Sequence, residues 1–498
     1  MRRSANITTA LLLATMCIPI VLSVAFFMGQ SLRLDESQSL WQTSRTVADI
    51  LAIVAGDVHV PLYHILLHFW LVCFGNSVSI ARSMSLLLYV VSIPALYLVG
   101  RRAYSRTIGL FAAFLFAISP FMNWYGNEIR MYTLFTLFVI LNQYFFIRLF
   151  QEKVTNDRIW VGYILTAVLG TFSHYFFFLV LAGQMVFYFM RQDLFPRGSL
   201  WRFAFTASFV VLAFVPWGWY VYHIGQAGFQ EPNLPAPTTV NLFSTFSQFM
   251  FGFQNDNVNT FFLSLWPVTV ILGLLTLRRS NRMLPETEYF LTTILVSFAI
   301  AFFGSFVLAP VFVSRYLIFT VPSLYLVLAS LLNGYSRTLA NVGRLALAGV
   351  MVGMLWVEVV SPTTPVKENY AQASDYLTAH TSPQDIVILS APFTIYPVQY
   401  YYRGPAAIET LPVWDQYAYG PIPAFSKDTL PAQVTQLTHD NQNVYVLLSY
   451  DQGYEHEIKD YFDTHYQRIY QQNFSSDLTL YVYRLRYDTT LSEVTVAR

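Results

Sequence analysis

The sequence predicts an all-α polytopic membrane domain of about eleven transmembrane helices, followed by a small soluble α/β domain. Of the 498 residues, 55% are hydrophobic and only 11% are charged, whereas soluble proteins carry about 25% charged residues. The apolar residues also occur in long runs, as bilayer-spanning helices require. After Ser361 the composition becomes that of a soluble domain. The net charge of +1 gives no case for a nucleic-acid partner.

The first apolar run, from about residue 8 to 28, follows Arg2 and Arg3. It is long for a signal peptide, and no small-x-small cleavage pattern follows it, so we interpret it as an uncleaved first span. The further predicted spans lie near 82–100, 106–122, 131–150, 159–173, 175–190, 203–222, 261–277, 287–308, 316–333 and 344–361. The pair 159–173 and 175–190 is the least secure of these predictions. Merging the pair into one span would make the number of spans even.

The distribution of basic residues predicts the orientation. With the N-terminus inside, 16 of the 29 Lys and Arg residues fall in inside segments, and five fall in outside segments before residue 362. An excess of positive charge is typical of the cytoplasmic side. Eleven spans then place the C-terminal domain outside the cytoplasm.

We therefore predict a membrane domain over 1–361, with outer loops 29–81 and 222–260, and a soluble domain over 362–498. The first loop contains a helix after Asp35 and an amphipathic or re-entrant run over 59–74. The second loop is rich in Pro, Asn and Gln, which predicts a mobile loop. In the soluble domain the patterns predict a helix, two strands and a hairpin, over 371–380, 385–390, 444–450, and 467–472 with 478–485.

Several ionisable and aromatic residues fall at the predicted outer ends of the spans, where burial of charge is costly and needs a reason. They are separated in sequence, yet this topology puts them on one membrane face, where they are expected to line a single outward cavity. The residues are Asp35, Glu36, His59, Glu128, Arg130, Tyr132, His174, Tyr175, Arg315 and Tyr316.

Each of these residues also has a structural interpretation. Asp35 and Glu36 suit a helix N-terminus; alternatively, because neighbours on a helix do not face each other, Asp35 is a general base and Glu36 supports it. Arg130 and Arg315 are either interfacial anchors or ligands of an anionic group. His174 is either a capped structural histidine or a hydrogen-bond donor.

A metal site has little support in the sequence. His64 and His68 have the i, i+4 spacing of a metal pair, but no third ligand follows at a useful spacing. A divalent ion held by Asp35, Glu36 and His59 is a minority alternative, and we expect no required cofactor. The cysteines, Cys17 and Cys73, lie in apolar stretches, so no disulfide is predicted.

Five segments resemble motifs of the GT-C glycosyltransferases, in the branch of protein O-mannosyltransferases and aminoarabinose-transferase-like bacterial enzymes. The likeness covers about residues 1–361. Two departures, Val60 for a proline and His64 for a tyrosine, fall in the loop that shapes the acceptor side. The segments are Arg-Leu-Asp35-Glu36, His59-Val-Pro-Leu-Tyr63-His, Glu128-Ile-Arg130-Met-Tyr132, Ser173-His174-Tyr175 and Arg315-Tyr316-Leu317.

The resemblance implies an inverting transferase in a bacterial plasma (inner) membrane, and the distribution of basic residues predicts a cytoplasmic N-terminus. The donor is a sugar on a polyprenyl phosphate, the acceptor is a hydroxyl of a glycan, lipid or protein, and Asp35 is the base. Arg130 and Arg315, with His174, are expected to hold the phosphate. The remaining substrate-binding candidates are His59, Tyr63, Glu128, Tyr132 and Tyr316.

The rival hypothesis is a transporter or flippase for lipid-linked saccharide. Transporters are built from repeats and carry polar sites at the bilayer midplane, and the sequence has no evident repeat or midplane charge pair. Glu358 is the nearest exception, close to the outer end of its span. A third hypothesis makes 362–498 mainly a binding module for glycans or proteins.

Overall fold

The computed structural model describes residues 2–57, 59–153, 157–224, 235–254, 256–265, 267, 284–307, 309–360, 367–417 and 422–485. The chain forms two compact units. The membrane unit comprises Met1–Gly29 and Thr43–Pro365, and the C-terminal unit comprises Gln30–Gln42 and Val366–Arg498. A short segment near the N-terminus, which includes Asp35 and Glu36, therefore belongs to the C-terminal unit.

The α-helices up to residue 360, in chain order, are α1 Arg2–Leu22, α2 Leu34–Thr43, α3 Val47–Gly56, α4 Leu62–Phe74, α5 Val78–Ala103, α6 Arg106–Ile118, α7 Pro120–Gly126, α8 Tyr132–Gln151, α9 Asp157–Thr171, α10 Phe177–Met190, α11 Ser199–Ile224, α12 Thr239–Phe251, α13 Asp256–Ser264, α14 Pro285–Val307, α15 Val321–Asn333 and α16 Arg337–Val360. A π-helical turn, Ser23–Phe27, continues α1, and a 3₁₀ helix, Ser314–Thr320, precedes α15.

The predicted fold class, a helical membrane domain followed by a small domain with a sheet, is confirmed. Within the described residues, seven helical segments are long and apolar enough to cross a membrane, and α6 with α7, bent by 63°, would make an eighth. The helices α9 and α10, of 15 and 14 residues, remain separate and are shorter. Most of the predicted span 261–277 lies outside the described residues, so the count of eleven stays a prediction.

The predicted mobile loop over 222–260 is wrong where the structure describes it. The helix α11 continues to Ile224, and 239–251 and 256–264 are helical. A capping box begins α12, because the Thr238 side chain accepts from the Asn241 N–H and the Asn241 side chain accepts from the Thr238 N–H. Phe246 then stacks on Phe298 at 4.5 Å between ring centroids. Residues 225–234 lie outside the described part of the chain.

Small residues allow α5 and α6 to approach closely. A Cβ added to Gly100 would lie 2.6 Å from the Cα of Gly109 and 2.7 Å from Leu326. Without side chains at the crossing, the two backbones pack directly, as in other membrane helix pairs. This contact fixes the start of the α6–α7 segment.

Buried side chains supply hydrogen bonds to the backbone carbonyls that are freed at the break between α6 and α7. Pro120 occupies the first turn of α7, and the Asn123 amide donates to the carbonyls of Ala117 and Ser119 at 2.9 and 2.8 Å. The hydroxyl of Tyr89 donates to the Phe116 carbonyl at 2.6 Å. Backbone groups freed by a bend in a membrane helix need such partners. The short α7 then leads into residues 127–131.

The C-terminal unit contains a five-stranded sheet. Its strands are β1 Ile386–Ser390, β2 Ala407–Thr410, β3 Asn443–Ser449, β4 Gln467–Ser475 and β5 Leu478–Arg484, and its helices are α17 Tyr370–His380, α18 Ile395–Tyr401, α19 Leu430–Thr438 and α20 Glu455–His465. The strand order is β2-β1-β3-β5-β4, with β1 parallel to β2 and β3 and with β5 antiparallel to β3 and β4.

The sheet has a hydrophobic core on each face. Alternate residues of β1 point to opposite sides, so that Val387 joins one core and Ile388 the other. Leu34 and Trp41 of α2 pack against the core that contains Val387. The predicted helix, two strands and hairpin are present, whereas β2, α18, α19 and α20 were not predicted.

Candidate functional site

The first group of site residues lies at the start of α2. Glu36 is completely buried, and its Oε2 accepts from the Arg33 backbone N–H at 2.9 Å and from the Lys367 ammonium at 3.3 Å. Asp35 is only partly buried. The two neighbouring carboxyls therefore have different environments, as expected for residues that do not face each other on a helix.

Lys367, which the sequence did not single out, is the partner of Glu36. Its side chain is 1% exposed and that of Glu36 is 0% exposed, although the two residues are 331 positions apart. Lysine is almost never fully buried without a partner. The only signal in the sequence was that Lys367 is one of four lysines in the whole chain.

The second group of site residues lies in the membrane unit, around the turn between α9 and α10. The buried ring of His174 stacks on Phe135 at 4.7 Å and lies 5.5 Å from the ring of Tyr316 and 6.5 Å from that of Tyr132. Its Nδ1 accepts from the Phe176 backbone N–H at 3.1 Å. In the neutral tautomer Nε2 therefore carries the proton and is a donor.

Positive charge lies close to His174. Burial, and then the charges of His59 and Arg130, hold the pKa of the His174 imidazole well below its usual range. The ring is therefore neutral at physiological pH. His59, Arg130 and His174 come from three separate segments, and the membrane unit brings them together.

Two hydrogen bonds connect the loop before α4 to the His174 turn. The hydroxyl of Tyr175 donates to the His59 carbonyl at 3.0 Å, and the Leu62 N–H donates to the Phe172 carbonyl at 3.2 Å. His64, whose ring stacks 6.5 Å from that of His59, is also buried. The sequence analysis named His64 in a motif and as one half of a metal pair, but not among the residues expected to bind substrate.

The segment that contains Glu128 and Arg130 is buried, with exposures of 1% and 6%. Asn127, just before it, accepts a hydrogen bond from Ser23 through its side-chain oxygen, which holds the segment to the end of the first helix. Buried ionisable groups at the end of a membrane helix are, by default, candidates for a functional site. The interpretation of Arg130 as a snorkelling anchor therefore has little support.

Arg315 begins the 3₁₀ helix before α15. Its guanidinium lies 5.5 Å from the centroid of the Tyr316 ring, and that ring also contacts Phe176 at 5.5 Å. Tyr316 therefore connects Arg315 to the His174 turn. Tyr63 differs from these residues, because its hydroxyl pairs with Ser85 of α5 at 2.9 Å and its ring is completely buried.

The metal alternatives gain no support. Nδ1 of His68 is paired with the Thr43 carbonyl at 2.9 Å. Over the described ranges, no group of three or more His, Cys, Asp or Glu side chains is placed to hold a metal ion.

Comparison with known proteins shows which family and which folds this chain resembles. Residues 58–220 match a family model described as dolichyl-phosphate-mannose-protein mannosyltransferase. The apo structure of ArnT from Cupriavidus metallidurans matches with a TM-score of 0.63 at 13% identity, covering 97% of this chain and 98% of that chain. The chain therefore has the predicted GT-C fold.

Two further GT-C structures are similar. ArnT from Cupriavidus metallidurans bound to undecaprenyl phosphate has a TM-score of 0.60 at 12% identity, covering 96% of this chain and 97% of that chain. The oligosaccharyltransferase AglB from Archaeoglobus fulgidus, with an inhibitory peptide and a dolichol-phosphate, has a TM-score of 0.52 at 11% identity, covering 96% and 74%. No curated protein matches the sequence significantly.

These matches confirm the predicted resemblance to GT-C proteins at the level of the fold. The family-model match includes His59, Arg130 and His174, whereas Asp35 and Arg315 lie outside it.

Proposed function

We propose that the protein is an inverting glycosyltransferase that moves a sugar from a polyprenyl-phosphate donor to an acceptor hydroxyl on the extracytoplasmic membrane face. The observation that carries the proposal is the convergence of His59, Arg130 and a neutral, buried His174 in the membrane unit. Fixed positive charge and an N–H donor in a site with little water suit a phosphate leaving group.

An apolar groove beside this group supports a lipid-linked donor. The groove has a volume of about 500 Å³ and is lined by Phe178, Val211, Phe214, Val215, Gly218, Trp219 and Tyr222. Phe214 also contacts Phe172 and Tyr175, at 5.5 and 5.9 Å, in the same turn as His174. A prenyl chain in this groove would bring its phosphate to the polar end of the turn.

The chemistry needs a base but no general acid. Asp35 takes the proton of the acceptor hydroxyl as that oxygen attacks the anomeric carbon, which contributes about 10²–10⁴-fold. The bond to the phosphate oxygen breaks on the opposite face, so the anomeric configuration inverts. Arg130 and Arg315 stabilise the negative charge that develops on the phosphate, and Nε2 of His174 donates to it.

A polar cleft next to Arg315 is suited to sugar hydroxyls. It has a volume of about 290 Å³, and Asn241, Ser244 and Gln248 of α12 line one side, with Ser314 opposite. Phe312 and prolines supply its apolar part. Amides and hydroxyls beside apolar surface match the two kinds of surface that a sugar ring presents.

The transporter alternative gains no specific support. One set of buried polar side chains inside the bundle is paired internally: Gln184 donates to Asn142 at 2.8 Å and accepts from Tyr163 at 2.7 Å. Such pairs hold membrane helices together.

Mass spectrometry of the lipid that co-purifies with the protein tests the proposal. We expect a polyprenyl phosphate or its glycosylated form, and we expect the purified protein to transfer that sugar to an acceptor. Movement of the lipid-linked sugar across proteoliposome membranes, without transfer, would support the transporter instead.

A further inference from the structure

We propose that Lys367 of the C-terminal unit is a positioning residue for Asp35, acting through the buried carboxylate of Glu36. This inference rests on the proposed function, in which Asp35 is the base. It assigns to the C-terminal unit a part in the reaction, because that unit supplies the charge that fixes the start of α2.

The burial of the pair makes the contact specific. Neither side chain is more than 1% exposed, and their charged atoms are 3.3 Å apart. A buried carboxylate is stable only when charge and hydrogen bonds compensate for lost water. Glu36 receives both, from the Lys367 ammonium and from the Arg33 backbone N–H at 2.9 Å. These two contacts hold Glu36 in place, and with it the first turn of α2, in which Asp35 is the preceding residue.

Asp35 itself lies among groups of the C-terminal unit. Burial raises the pKa of the Tyr450 hydroxyl, the carboxylates of Glu368 and Asp35 raise it further, and Arg33 opposes them. These charges act on Tyr450 only because they lie near it. Glu368 directly follows Lys367, so the same short stretch of chain faces both acidic residues of α2.

Further contacts hold the segment on either side of Asp35. The Ala371 N–H donates to the Ser31 hydroxyl at 3.2 Å, and the Leu32 N–H donates to the Tyr401 hydroxyl at 3.0 Å. At the other end of α2, the ring of Trp41 contacts that of Tyr396 at 5.0 Å. The segment 30–42 therefore folds as part of the C-terminal unit, and a tail that only bound a partner would not need these contacts.

The experiment compares Lys367→Met with Lys367→Arg and Lys459→Met in the full-length protein. Lys459 is a matched control, because it lies in the same unit and pairs with Asp463 at 2.9 Å at the surface. We expect Lys367→Met to lower kcat between about tenfold and 100-fold, the effect of a misplaced base, with the donor KM unchanged. Lys367→Arg should recover part of kcat, and Lys459→Met should match the parent.

Hydrogen exchange of the peptide 31–42 gives a second readout that does not depend on the reaction. We expect faster exchange there in Lys367→Met, with the peptide 455–465 unchanged. If Lys367→Met does not fold, the double variant Glu36→Gln/Lys367→Met, which removes both charges of the pair, should restore folding and slow exchange.

Unchanged exchange at 31–42 in Lys367→Met would overturn the inference. So would faster exchange with the parent kcat. Failure of the proposed function gives a different result. Full transfer by Asp35→Asn would show that Asp35 is not the base, whereas faster exchange at 31–42 in Lys367→Met would still show that Lys367 holds the segment.

Discussion

Burial separates the roles of the acidic residues at the start of α2. Glu36 is buried against Lys367, whereas Asp35 is partly open. Removing one partner of a buried ion pair typically costs about 3–5 kcal/mol, since it leaves an uncompensated charge. Glu36 therefore contributes to structure, and the more accessible carboxyl of Asp35 is the one suited to proton transfer.

The proposed phosphate-binding role of Arg130 can be tested by substitution. Arg130 is only 6% exposed. If its guanidinium is removed, bulk water cannot readily reach this position to stabilise the charge on the leaving phosphate. We expect Arg130→Gln to lower kcat by about 10²–10³, the usual cost of removing a donor to a developing anion. Initial rates with the lipid-linked donor measure this.

The control for Arg130 is Arg158→Gln, at the predicted cytoplasmic end of α9. That variant should transfer at the parent rate. Arg130→Lys should recover only part of the loss, because an ammonium lacks the planar pair of donors. Parent activity in Arg130→Gln would contradict a phosphate role.

Among the elements, the turn after α12 depends on a glycine. Gly252 has φ +74°, and an added Cβ would clash with the Glu358 carboxylate and lie 2.5 Å from the Cβ of Pro120. The same carboxylate accepts from the Phe253 N–H at 3.2 Å. Glu358 therefore serves this turn, which explains the acidic residue near the end of a span.

We predict that Gly252→Ala destabilises the protein by about 1–3 kcal/mol, because both the backbone conformation and the space are lost. The Tm of the detergent-purified protein measures the change. Gly349→Ala in α16, where a Cβ meets nothing within 4 Å, should leave the Tm unchanged or higher. Equal effects of the two substitutions would contradict this account of the turn.

The N-terminus of α20 gives a pH-dependent prediction. Burial, and then the charge of Asp451, raise the pKa of Glu455 to about 7. Between its ordinary pKa and 7, the folded state holds a proton that the unfolded chain has lost, so stability falls as pH rises through this range. Above pH 7, the ionised Glu455 destabilises the fold.

Glu455→Gln should therefore raise the Tm at pH 8 and have little effect at pH 4.5. Because the side chain is partly solvated, the gain should be on the order of 1 kcal/mol. Glu457→Gln, which removes a surface pair with Lys427 at 3.4 Å, is the control. A larger gain at pH 4.5 than at pH 8 would contradict the sign.

Sequence patterns predicted the elements that are long or strongly alternating, such as α5, α8 and the hairpin of β4 and β5. They missed α12, because its apolar residues alternate irregularly with six polar ones, and because its stability comes from a cap and from packing on Phe298. They identified Arg130 and His174 from local motifs. Lys367 could not be found this way, because its partner is 331 residues away.

For the whole molecule, the predicted orientation can be measured by cysteine labelling. The native cysteines, Cys17 and Cys73, are exposed, so both are first changed to serine. A membrane-impermeant maleimide should then label Thr435→Cys, on the C-terminal unit, in intact cells. Gln192→Cys, in a predicted cytoplasmic loop, should react only after permeabilisation, and the reverse pattern would contradict the topology.

The proposed mechanism requires that the lipid-linked donor, the base and the phosphate-binding residues act together in a single displacement. Nuclear magnetic resonance of the transfer product reports the anomeric configuration and tests this most directly. We predict that a donor of known configuration gives an inverted product. Asp35→Asn should bind the donor yet form no product, while Asp49→Asn, an exposed carboxyl in α3, should transfer normally. A product of retained configuration, or full transfer by Asp35→Asn, would contradict the proposed mechanism.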